Sequence, residues 1–324
     1  MAGKAIILAL RLRCAALVVL LGLAGFSGAA TAAGAAAGGV ETYATADEAV
    51  SVLITALRGG KPLALLPLFG PASQTLLASG DRYADASERK RFLDAYDEQH
   101  QLRAAEPDRM VLEVGKQDWP LPIPIVEAGG RWHFDATAGA EELVRRRIGR
   151  NEIAAIRTSL AYVDAQKAFF AMTGAEGQAE YAQRLLSSPG KYDGLYWPAA
   201  EGQPDSPLEA LVAQARDEGY PVDTGSGQPR PYHGYYYRIL TEQGASTPEG
   251  ARNYTQNGRM TAGFGLIAWP ASYGASGLMT FMVNQDGVVF QKDLGPRTAQ
   301  TASAAKLFNP DLSWARVDLV DERK

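Results

Sequence analysis

The chain carries three histidines, His100, His133 and His233, and their spacing bounds the chemistry open to them. No two sit where one helix turn or strand pair would bring both to a single metal ion, and no His-Glu-x-x-His signature occurs. His133 lies between Trp132 and Phe134 in a strand pattern, so its side chain opposes theirs and faces solvent. His233 stands apart because it heads Gly234 and three consecutive tyrosines. Aromatic rings beside a glycine-opened backbone can line a sugar or peptide groove with flat faces and hydroxyls. In a strand, Tyr235 and Tyr237 share one face and Tyr236 takes the other, so at least one of them is ordinary core. With the tryptophans of the glycine- and proline-rich second half they define one candidate ligand surface: Trp197, His233, Tyr235, Tyr237 and Trp269. The competing role for these rings, and for Tyr196 and Tyr273, is to pin long loops to a sheet.

Catalytic chemistry is not spelled out. General acid–base work needs two groups with separated pKa values, and Asp118, Asp135, Asp164, Glu201 and Asp293 are too scattered for sequence to pair them. No catalytic residue is therefore assigned. No serine sits in a Gly-x-Ser-x-Gly elbow. Gly258, Gly263 and Gly265 are followed by no Lys-Ser/Thr, which removes the phosphate-loop reading. Arg145-Arg146-Arg147 and Arg150 have Glu141, Glu142 and Glu152 within helical reach, so a solvated, partly paired face is expected. Asp118-Trp119 either caps a turn and fills the core, or rims a cleft between domains. Asn284-Gln285-Asp286-Gly287 is too short for a calcium loop and reads as a hairpin turn. No metal or other cofactor is implied.

The elements that must position these residues fall into two groups. Thr45 is a plausible N-cap for a helix over residues 46–58, with Glu48 completing a capping box. Ala49, Val50, Leu53, Ile54 and Leu57 give that helix one apolar stripe. Short helices are expected at 62–68 and 87–99, the latter with Phe92, Leu93 and Tyr96 inward. Strands are expected at 110–114, 121–126 and 131–135, the last after the turn Gly129-Gly130. Pro120, Pro122 and Pro124 cannot donate to a ladder, so the second of these is expected at an edge or bulged. A bridging helix starts near Ala140, and Ile153, Ile156, Leu160, Val163 and Phe170 make its second part the strongest helical signal in the chain. Residues 178–186, 207–218 and 301–307 read as further short helices. Strands at 235–241, 264–269 and 278–290, the last split by the hairpin turn, form a three-stranded antiparallel sheet, with a closing strand at 314–319. The fold class is α+β: N-terminal helices on a curved, cone-like antiparallel sheet, then a long helix on a small antiparallel sheet. The expected division is residues 40–139 and 140–324.

Residues 1–32 have the composition of a secretory signal. Lys4, Arg11 and Arg13 supply the positive region, residues 15–26 the short apolar core, and Ala30-Thr31-Ala32 the cleavage site. Residues 33–39 follow as an Ala/Gly linker. Cys14, the one cysteine, precedes the apolar core and would leave with the leader, so disulfides are not expected in the mature chain. The leader removes three basic residues and no acidic one, leaving the remainder more acidic than the whole chain's net −4. Such a balance is a poor match for nucleic acid. No later apolar run reaches the roughly 20 residues of a spanning helix, so the expected location is periplasmic or secreted.

Several phrases taken together resemble the domain of unknown function 2950 family of secreted bacterial proteins. They include Asp118-Trp119-Pro120-Leu121-Pro122, Arg147-Ile148-Gly149-Arg150-Asn151-Glu152, Asp193-Gly194-Leu195-Tyr196-Trp197-Pro198, Pro231-Tyr232-His233-Gly234-Tyr235-Tyr236 and Ala268-Trp269-Pro270-Ala271-Ser272-Tyr273-Gly274. The resemblance implies export and carries over no catalytic residue. The order of elements in the second half is also similar to the globular heads of pilin-like proteins, although a whole domain precedes the helix here. The expectation is an exported cell-envelope binding or accessory module, not an enzyme, facing a glycan, a peptide or another envelope protein. The alternative is a cofactor-free hydrolase using His233 with a carboxylate.

Overall fold

The computed structural model describes residues 39–199, 202–222 and 229–318. The expected leader, its cysteine and all of the linker but Gly39 lie outside the described residues. The architecture is α+β, with mixed helices and antiparallel sheets.

Helix α1 (Ala46–Arg58) buries Ala49, Val50, Leu53 and Ile54, as its stripe requires. Thr45 caps it by accepting from the Glu48 N–H at 3.1 Å. Glu48 reaches back one residue further than a capping box would, accepting from the Ala44 N–H at 2.7 Å. Two short turns, Pro62–Leu65 and Leu66–Phe69, lead to Gly70, whose φ of 81° suits glycine. Helix α2 (Arg82–Glu98) starts five residues earlier than the expected 87, because Asp81 accepts from both Tyr83 N–H and Ala84 N–H at 3.1 Å. Strand β1 (His100–Glu106) was not expected. It is an exposed edge pairing with β2 (Arg109–Val114), and it lacks the alternation that marks a half-buried strand. The sheet continues through β3 (Ile125–Ala128) to β4 (Arg131–Phe134), all antiparallel. Gly129 and Gly130, both at positive φ, make the turn between the last two. The proline-rich segment before β3 forms only a two-residue pairing at Trp119–Pro120.

Helix α3 (Ala136–Ala175) is one rod of 40 residues, about 60 Å long. Asp135 caps it by accepting from the Ala138 N–H. The division expected at residue 139/140 therefore falls inside its first turns. Ala136, Ala140, Leu143 and Val144 pack on the first core with Leu112, Ile125 and Phe134. Ala155, Tyr162, Val163 and Phe169 belong to a second core with Tyr235, Phe264, Leu266 and Phe281. Residues 178–186 are not the expected helix. Their backbone is claimed from outside: Gln166 donates to Ala182 O at 2.7 Å and accepts from the Ala182 N–H at 2.8 Å, while Tyr181 bridges Met260.

After helix α4 (Glu209–Asp217) come β5 (Tyr235–Leu240), β6 (Gly265–Pro270), β7 (Met279–Asn284) and β8 (Phe290–Asp293). With β9 (Ala315–Arg316) they form a five-stranded antiparallel sheet in the order β9-β8-β7-β6-β5: the hairpin turn makes two strands of 278–290, and the closing strand joins the three-stranded sheet. The turn before β8 is as read: Gly287 sits at φ 74° and its N–H reaches Asn284 O at 3.0 Å. One sheet face meets α3; the other buries Ile267, Met282 and Phe308 under helix α5 (Thr298–Ala304). That helix starts earlier than the expected 301. Among the described residues no helix is long and apolar enough to cross a membrane.

Candidate functional site

The five residues of the expected ligand surface do not form one surface. Tyr235 is fully buried on the α3 side of the sheet, and its hydroxyl donates to Met279 O at 2.9 Å. Gly277 makes room for it: a Cβ there would sit 2.1 Å from the Tyr235 hydroxyl oxygen. Trp197 is 2 % exposed, with its indole N–H on Pro204 O at 3.0 Å, so it pins the loop between α3 and α4. Trp269 lies on the opposite sheet face, beside Tyr236 and below the Arg238 guanidinium. Strand alternation and the loops' need for core thus separate these three from the other two. His233 and Tyr237 remain on the α3 side, on two adjoining cavities that share Tyr220.

His233 is held from its backbone outward. It and Gly234 both take positive φ, 48° and 73°, which turns the chain sharply into β5. The His233 N–H donates to the Tyr220 hydroxyl at 3.1 Å, and the Gly234 N–H donates to Asp81 Oδ2 at 2.9 Å. The Tyr220 hydroxyl donates to the same Asp81 oxygen at 2.8 Å. Asp81, 1 % exposed, thus caps α2 with one carboxylate oxygen and ties the β5 entrance to it with the other. Asn151 on α3 completes the seam, donating from Nδ2 to Ser276 O at 2.9 Å against Gly234. Glu152 beside it accepts from Leu278 N–H and Met279 N–H, fixing the start of β7 instead of pairing with the arginines.

A cavity of about 300 Å³ opens at this seam between α2, α3 and the segment after α4. Glu218 Oε2 stands 3.0 Å from His233 Nε2 and, buried, has no other partner. Arg150 pairs with Glu88 at 2.6 Å, and Arg91 donates to Ser87 Oγ at 2.8 Å. Arg157, also on the wall, makes no ion pair among the described residues. Neither hydroxyl on the wall touches the imidazole: Ser87 is engaged by Arg91 and Tyr220 by Asp81. Among the described residues no cluster of His, Cys, Asp and Glu is arranged to hold a metal ion.

Burial pushes the His233 imidazole below its ordinary value of 6.5, with Glu218 and Asp81 opposing the shift. The ring is therefore neutral at pH 7. Between the folded and unfolded values the unfolded chain binds more protons, so stability falls as pH drops below about 6.5, by at most ~1.4 kcal/mol per pH unit. His233→Asn, which tolerates positive φ, is expected to remove this component. Urea titrations from pH 5 to 8 check it; identical pH profiles for the two proteins would contradict it.

Elsewhere, His133 is half-buried in β4 opposite Val126. Asp118 sits in a positive-φ turn and accepts from Gln99 and Gln101. Trp119 does not fill the core: it is 40 % exposed, with the Arg146 guanidinium over its ring. Arg145 and Arg146 pair with Glu142, but Arg147 turns inward and is buried. Asp81, Glu218 and Tyr220 were not legible as site residues. The available signal was Asp81, a capping residue type after Gly80 at the head of a charged, helix-favouring run.

Residues 40–317 match the family model described as "Protein of unknown function (DUF2950)". No curated protein and no solved structure matches the chain.

Proposed function

The chain belongs to the DUF2950 family, whose description assigns no activity, and from the seam cavity we propose that it is an exported cell-envelope binding module, periplasmic or secreted, and not an enzyme. The observation that carries the reading is the buried Glu218 oxygen, contacted only by His233, at a small cavity with Arg157 on its wall. Glu218 Oε2 offers an acceptor for a hydroxyl or amine, and Arg157 offers a cation for a carboxylate. A short peptide or glycan segment bearing a carboxylate fits that set.

The hydrolase alternative finds its carboxylate in Glu218. It is the weaker reading because neither wall hydroxyl is bonded to the imidazole, leaving no activated nucleophile from the protein. A hydrolase would have to use water from the cavity.

Retention on immobilised anionic envelope glycans and short peptides tests both. Arg157→Gln and Glu218→Gln are each expected to weaken binding by roughly tenfold or more while the protein stays folded by circular dichroism. Unchanged retention in both variants would reject the binding site. Release of hydrolysis products that stops in Glu218→Gln would favour the enzyme.

A further inference from the structure

The first half of the chain forms a larger cavity of about 710 Å³, open to solvent, between α1, α2, the early turns of α3 and the strand β2. Its walls are largely apolar, among them Leu53, Leu57, Phe69, Phe92, Leu121 and Leu143, and Trp119 also lines it. The volume lies within the ~300–1,000 Å³ of small-molecule sites.

One side chain is out of keeping with such walls. Arg147 is 8 % exposed and lines the cavity. Its Nη2 donates to Leu76 O, whereas Nε and Nη1 are buried with no partner. Of the other cations on the wall, Arg146 pairs with Glu142, Arg150 with Glu88 and Lys116 with Glu98, and Arg91 lies 4.0 Å from Glu88. Arg89 makes no ion pair among the described residues but is only half-buried, so water still reaches it. Asp85 lines the same cavity and attracts Arg147 through space. Its carboxylate accepts from the Ser79 N–H at 3.1 Å, however, and is not in ion-pair contact with the guanidinium, whose Nε and Nη1 stay without a hydrogen-bond acceptor. A guanidinium keeps its charge at any ordinary pH, and its donors match a carboxylate or similar anion. Stability alone would favour an apolar side chain of similar volume at this position.

We propose that this cavity is a ligand site for a single-chain amphiphile, its anionic head held by the unpartnered guanidinium nitrogens of Arg147 and its hydrocarbon chain along the apolar walls. The site is separate from the one at His233. Glu88, Arg91 and Arg150 border both cavities, but Arg147 does not line the one at the seam.

Calorimetric titration of the whole protein with decanoate, decanol and butyrate tests the proposal. Decanoate is expected to bind once per chain, and decanol ~10- to 100-fold more weakly, the discrimination of one charge-assisted contact. Butyrate, lacking the chain, is expected to be weaker still. Arg147→Met should bring decanoate to the level of decanol. The unliganded variant should melt no lower than wild type, because a buried unpaired charge is gone. The proposal is overturned if folded wild type does not bind decanoate, if decanol binds equally well, or if Arg147→Met keeps the carboxylate preference.

Discussion

Asp81→Ala is expected to destabilise the protein by about 3–5 kcal/mol, among the largest effects of any single polar substitution in the chain. The carboxylate is buried and accepts from four donors: Tyr83 N–H, Ala84 N–H, the Tyr220 hydroxyl and Gly234 N–H. Removing it uncaps α2, which alone is worth ~1 kcal/mol. It also strands two donors from the second half of the chain in a dry seam, where an unsatisfied group costs about 1–3 kcal/mol. Asp81→Asn should fall between Ala and wild type. Its one amide oxygen can serve the α2 cap or the Gly234 amide but not both, and its NH₂ group would face a donor that cannot reverse. Tyr220→Phe should cost less than Asp81→Ala, because Gly234 N–H and the α2 cap keep their acceptor and only the His233 N–H loses one. Denaturant unfolding of the three variants gives the ranking. An Asp81→Ala protein within ~0.5 kcal/mol of wild type would remove Asp81 as the latch between the two halves.

Much of the fold could be read in advance because local signals agreed with tertiary demand. The first helix shows cap, stripe and terminating glycines together, and it forms over the expected residues. The hairpin turn and the strongly periodic part of α3 likewise follow from chemistry within a few residues. The failures share a different cause. Helix α2 buries no residue completely, so residues 82–86 carry no apolar period, and only the cap residue marks the start. Residues 178–186 have apolar spacing compatible with a helix, but Gln166, twelve or more residues away, captures their backbone. In the arginine run, glutamates at helical spacing suggested a paired face. Ala136, Ala140, Leu143 and Val144, however, turn one stripe of α3 onto the first core, and position 147 continues that stripe at helical spacing. Arg147 is the one that turns in. The aromatic surface failed for a related reason. Tyrosine and tryptophan in a glycine-rich segment satisfy the need for core as well as the need for a groove, and only tertiary distances separate the two. The seam itself joins residue 81 to residues 218–234, a contact with no local trace.

Gly139→Ala and Gly149→Ala, the same substitution ten residues apart in α3, are expected to have opposite signs. Helix propensity alone favours alanine at both by about 0.5–1 kcal/mol. At Gly149 nothing lies within 4 Å of the added methyl, so the propensity gain should appear as a modest stabilisation. At Gly139 the new Cβ would stand 2.5 Å from Pro122 O and 2.6 Å from Ile123 Cα and N. All three are backbone atoms, so no rotamer change relieves the overlap. Either α3 or the segment before β3 must move, and that segment is stiffened by Pro120, Pro122 and Pro124. Ile123, at 1 % exposure, is itself part of the first core. The overpacking should outweigh propensity and leave Gly139→Ala less stable by ~3 kcal/mol. Thermal and urea unfolding of the pair settle the sign. If Gly139→Ala proved as stable as Gly149→Ala, α3 would not lie hard against the proline-rich segment, and the packing that joins the long helix to the first core would have to be redrawn.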